Sequence, residues 1–166
     1  KEKNRKCTGC DKFINEEIEL PKIENKNENI ISAETAYQMT SILQGAVQRG
    51  TAKKLRSLKV PLAGKTGTTN KAESTWFTGY NDNIVTSVWV GFDQPRSLGD
   101  REFGSSIALP IWLDYKKEII ERIPLSTTLP PKGISIIKID KNSGELAKKE
   151  SKKVMFEYFL NNNSPN

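Results

Sequence analysis

Lys65, Thr66 and Thr68 stand within four residues of one another, in the run Ala63-Gly64-Lys65-Thr66-Gly67-Thr68-Thr69-Asn70. Lysine supplies a compact positive charge, and each threonine hydroxyl can donate a hydrogen bond to a carboxylate. If the run is extended, Thr66 and Thr68 share one face while Lys65 and Gly67 take the other. Gly67 carries no side chain, so another element or a substrate can come close to the backbone there. The run reads as an active-site edge strand, equipped to recognise an anion beside a nucleophile. Gly64-Lys65-Thr66 also resembles the end of a phosphate-binding loop, but the required first glycine falls on Lys59 and no hydrophobic strand precedes it. An NTPase is therefore set aside.

The neighbouring segments must hold this strand in place. Residues 30–49 read as a helix, with Ala36, Met39, Leu43, Ala46 and Val47 recurring three and four apart. Ser32 suits its N-cap, Glu34 its first turn and Gly50 the position after its end, while Gly45 inside it points to close packing. A basic connector with Lys53, Lys54, Arg56 and Lys59 leads into the motif. Beyond the motif, residues 75–80 and 84–92 read as a hairpin turned by Asn81-Asp82-Asn83, which makes three consecutive antiparallel strands. Ile84, Val85, Val88, Trp89 and Val90 predict a last strand covered on both faces, with Trp76 and Trp89 in the core.

After a glycine-rich loop over 93–106, residues 107–123 read as a second helix with Pro110 early in it and Ile111, Trp112, Tyr115, Ile119 and Ile123 at helical spacing. Pro124, Pro130 and Pro131 mark a boundary. Ile134, Ile136 and Ile139 alternate with polar residues before the turn Lys141-Asn142-Ser143-Gly144, and 154–160 can pair back as an accessory hairpin. Residues 161–166 read as disordered. The fold class is α+β, an antiparallel sheet covered by helices, with a small C-terminal extension. The expected division is a charged N-terminal segment over 1–29, a main body over 30–124 and the extension over 125–166.

A chain of 166 residues supports one domain with a real core. Its net charge of +6 without histidine favours anionic surroundings, but the lysines are mixed with glutamates and not interleaved with stacking aromatics, which argues against nucleic acid. No apolar run is long enough to span a bilayer. Cys7 and Cys10 lack the further ligands a zinc site needs, so no metal is expected. They form either a small disulfide or two free thiols, which a thiol titration under non-reducing conditions would separate.

The run from Lys65-Thr-Gly-Thr-Thr-Asn70 through Trp76-Phe77-Thr78-Gly79-Tyr80 to Val88-Trp89-Val90-Gly91-Phe92-Asp93 resembles the C-terminal half of the transpeptidase domain of class A penicillin-binding proteins, close to their 1A type. The resemblance is strong over 30–124. It implies a D,D-transpeptidase that crosslinks peptidoglycan stem peptides through a serine acyl-enzyme and is blocked by β-lactams, with no cofactor. It further implies Lys65 as part of the catalytic serine network, Thr66, Gly67 and Thr68 as substrate-binding, and the Thr68 backbone N–H as one oxyanion donor. It also implies a glycosyltransferase domain and an N-terminal membrane anchor in a complete, bifunctional parent at the periplasmic face of the inner membrane, and the rest of that protein as the partner of this chain.

The family's other signatures, Ser-x-x-Lys and Ser-x-Asn, occur only as Ser135-Ile-Ile-Lys138 and Ser164-Pro-Asn166. The first lies in a strand-like run, where residues three apart face opposite ways, and both follow Lys-Thr-Gly where the family has them before it. The chain is therefore expected to be inactive alone. Ser74 stands where the family usually carries an aspartate before the Trp-Phe pair. A non-catalytic cell-wall peptide-binding or degenerate split-gene product is the alternative, and a β-lactamase-like hydrolase a weaker one.

Overall fold

A computed structural model describes residues 7–8, 22–23, 28–122 and 128–165. The chain divides into two units, 1–32 and 33–166. In the first, β1 (Cys7–Thr8) pairs antiparallel with β2 (Lys22–Ile23). The expectation for Cys7 with Cys10 lies outside the described residues. The second unit runs α1 (Ala33–Gln48), a 3-10 turn (Lys53–Leu58), β3 (Ala63–Thr68), β4 (Ser74–Tyr80), β5 (Val85–Gly91), α2 (Ala108–Ile120), β6 (Ile134–Asp140) and β7 (Val154–Leu160). Strands β3, β4 and β5 form one antiparallel sheet in that order, and β6 with β7 form a separate two-stranded one.

The core lies between the three-stranded sheet and the helices. Val47 of α1, Ala52 and Leu55 after it, Leu62 before β3, Phe77 of β4 and Ala108, Leu109 and Trp112 of α2 form one buried cluster. Phe77 and Trp112 meet edge to face, with ring centroids 5.3 Å apart. The indole N–H of Trp112 donates to the Thr86 carbonyl at 3.0 Å, which satisfies its polar edge. Room for the two rings comes from Gly64 and Gly79, directly opposite one another across β3 and β4. A Cβ on Gly79 would sit 2.8 Å from both aromatic rings.

The sheet departs from expectation on its other face. Trp76 and Trp89, expected in the core, are a cross-strand pair 45% and 47% exposed, with centroids 6.4 Å apart. The last strand is likewise not covered on both sides. Among the described residues it is an edge with no fully buried residue, and only the face bearing Val88 packs against the core. The reason is the strand's period of two: Phe77 and Val88 point to α2, so Trp76 and Trp89 point the opposite way, where nothing among the described residues buries them.

Lys116, one helical turn beyond Trp112, is fully buried, and its ammonium has no hydrogen-bond partner among the described residues. It lies 5.7 Å from the Trp112 ring centroid, and burial holds its pKa below the ordinary lysine value. The folded state therefore disfavours the charged form, at a cost present below the lowered pKa and relieved as pH rises towards the unfolded value. Lys116→Met should raise stability by about 1–3 kcal/mol at neutral pH. Chemical denaturation at neutral and alkaline pH checks this; the gain should shrink at the higher pH.

The accessory strands are tied to α1. Tyr37 and Tyr158 meet edge to face at 5.0 Å, and the Gln38 amide donates to the Tyr158 carbonyl at 3.0 Å. Burial, reinforced by the hydrogen bond to Tyr158, pushes the Tyr37 phenol up to about 12. Arg49 pairs with Glu157 at 2.9 Å. The space above Gly45 is taken by that arginine, since a Cβ there would lie 2.8 Å from its Nη2. Gly45 thus makes way for the side chain of the residue that follows its helix. Ser135 to Lys138 lie within β6, as a strand and not a helix. Asn161, in the stretch expected to lack order, bonds Ser135, the Lys132 carbonyl and the Gly133 carbonyl.

Candidate functional site

The strand β3 is reached through a chain reversal at Lys59, whose left-handed backbone (φ 54°) closes the 3-10 turn. Pro61 and the buried Leu62 then lead into Ala63. Arg56 and Lys59 of the basic connector line, with Gln44, Gln48, Val60, Pro61 and Leu62, a depression of about 450 Å³ that includes none of the motif residues.

β3 pairs on one side with β4 and, among the described residues, stands at the sheet edge on the other. The Thr69 N–H donates to the Ser74 carbonyl at 3.0 Å. Antiparallel ladders alternate, so in the same register Lys65 and Gly67 bond β4, while Gly64, Thr66 and Thr68 turn their N–H and C=O groups outward. The Lys65 ammonium agrees with this, since it folds over the edge to the Thr66 carbonyl at 2.8 Å. Lys65 and Thr68 are exposed and Thr66 and Gly67 partly so. The edge thus offers one cation, two hydroxyls and outward N–H donors along a single strand.

Both hydroxyls have partners that sequence reasoning did not single out. The Thr66 hydroxyl lies 3.0 Å from that of Thr51, in the turn after α1. Thr68 Oγ1 accepts a bond of 3.0 Å from the Gly104 backbone N–H. Gly104 sits against the hydrogen-bonded Gly67–Trp76 pair, where a Cβ would lie 2.5 Å from the Trp76 carbonyl oxygen and 2.7 Å from that of Gly67. This is the close approach that an absent side chain permits. A threonine fifteen positions before its partner and a glycine thirty-six after carry no local signal.

The β3–β4 connection is closed by Ser74, whose N–H donates to Thr69 Oγ1 at 2.8 Å. Lys71 and Ala72 both adopt left-handed backbone (φ 61° and 51°), a conformation that costs an L-residue roughly 1–2 kcal/mol. The turn is held by Ala72 N–H to the Thr69 carbonyl and by Leu98 N–H to the Ala72 carbonyl. Ala72→Gly should stabilise the protein by about 0.5–1 kcal/mol, read as a rise in the denaturation midpoint at constant slope.

The family model described as the penicillin-binding protein transpeptidase domain matches residues 11–114, beginning within the segment expected to precede the domain. Penicillin-binding protein 1A of Pseudomonas aeruginosa is 48% identical over 139 residues, covering 83% of this chain and 17% of the relative. Penicillin-binding protein 1A of Rickettsia bellii is 36% identical over 162 residues, covering 96% of this chain and 20% of the relative. The crystal structure of penicillin-binding protein 1A from Haemophilus influenzae superposes with a TM-score of 0.73 at 33% identity, over 82% of this chain and 22% of that one. The chain spans about a fifth of the length of these proteins. On the family match, the identity to these relatives and the shared α+β fold, the chain belongs to the penicillin-binding protein transpeptidase family, in its 1A branch.

Proposed function

We propose that this chain supplies the substrate-binding edge of a peptidoglycan D,D-transpeptidase whose serine nucleophile lies on polypeptide outside it. The observation that carries the reading is the outward-facing edge of β3, with Lys65, Thr66 and Thr68 along it. In this role the Lys65 charge biases the serine network, the two hydroxyls bind the carboxylate of a stem peptide or β-lactam, and the Thr68 N–H stabilises the developing oxyanion. Residues 30–124 would form the C-terminal half of the catalytic domain and 125–166 an extension to it. The complete protein would join a glycosyltransferase to this activity and work at the periplasmic face of the inner membrane, anchored elsewhere; no helix among the described residues is long and apolar enough to cross a membrane.

Incubation with a fluorescent penicillin tests the proposal. The full-length protein that carries this segment should be labelled covalently, and the isolated chain should not. Labelling of the isolated chain would place the nucleophile within it, and an unlabelled full-length protein would favour a non-catalytic peptide-binding role.

A further inference from the structure

A hydroxyl that binds a carboxylate must point its single proton at it, because the carboxylate only accepts. Left to itself a threonine hydroxyl rotates and also meets water, so its proton is aimed only part of the time. At the β3 edge each threonine oxygen already has a partner from outside the strand. Thr68 Oγ1 accepts from the Gly104 N–H, which has no other direction to offer, so the Thr68 proton is left for a ligand. Thr66 Oγ1 lies 3.0 Å from Thr51 Oγ1, and either hydroxyl can donate. Once Thr66 donates to a carboxylate it must accept from Thr51, so a bound anion selects one direction for the pair.

We infer that Thr51 is a positioning residue that orients the Thr66 hydroxyl towards the substrate carboxylate, as Gly104 orients that of Thr68. This deepens the proposed function and rests on it. Thr51 itself touches no substrate in this arrangement; it acts through Thr66. The consequence is selectivity for acyl donors that carry a free carboxylate, set from the turn after α1 and the loop before α2 as well as from the strand.

The test uses the full-length transpeptidase and two acyl donors, a penicillin with a free carboxylate and the same compound with that group converted to an amide. Thr51→Val keeps the shape and removes the hydroxyl. It should lower the second-order acylation rate with the free carboxylate about 3–10-fold, mainly through weaker binding, and leave the slower amide reaction unchanged. Thr51→Ser should restore the difference. An equal loss on both donors, or no loss on either, would overturn the inference. Thr66→Val run alongside separates it from the underlying reading. If Thr66→Val leaves carboxylate preference intact, the proposed clamp itself is wrong; if only Thr51→Val does so, the clamp stands and the orienting role of Thr51 fails.

Discussion

Lys65→Ala in the full-length transpeptidase is expected to slow acylation by penicillin on the order of 10²-fold, the effect of removing one preorganised charge or donor from a reacting centre. Its ammonium lies on the exposed edge and among the described residues bonds only the neighbouring Thr66 carbonyl, a contact of 2.8 Å that ties the strand to no other described element. The substitution should therefore change stability by no more than about 0.5 kcal/mol. Stopped-flow acylation read beside thermal unfolding separates the two effects. A wild-type acylation rate would remove Lys65 from the catalytic network, and a large loss of stability would make any rate change structural. Lys65→Arg should not restore the rate fully, because a planar fork cannot occupy the place of a compact point charge.

Trp112→Ala should cost about 3–5 kcal/mol, the range for removing a large aromatic from a packed interior. Trp112 is fully buried, stacks edge to face on Phe77 and satisfies its N–H on the Thr86 carbonyl. Its loss opens a void between α2 and the sheet, out of a total stability of roughly 5–15 kcal/mol for a domain. Trp89→Ala, at a half-exposed ring, should cost far less. Denaturant titration of the two variants side by side measures the contrast; equal losses would mean that the open face of the sheet is covered in solution.

That contrast also marks what local pattern could convey. Alternating residues identify the strands and their shared faces, but an aromatic residue reads the same whether its face is roofed or open. Whether Trp76 or Phe77 is inside depends on which side α2 lands, and that is a matter of long-range packing. The opposed glycines Gly64 and Gly79 show the same limit, since their purpose appears only when the rings of Phe77 and Trp112 pack over them.

By itself the chain of residues determined that Lys65, Thr66 and Thr68 fall on one extended segment, the first of three strands flanked by two helices, because both follow from spacing against periods of two and 3.6. The match of the motif run to its family was likewise written in the order of residues. The edge position of β3 was also readable from the residues, but only the tertiary structure decided that Thr66 and Thr68 are the ones bonding outward, and that Thr51 and Gly104 meet their hydroxyls. Those partners are distant in the chain, and hydrogen bonds between such residues exist only once packing has closed the loops between them.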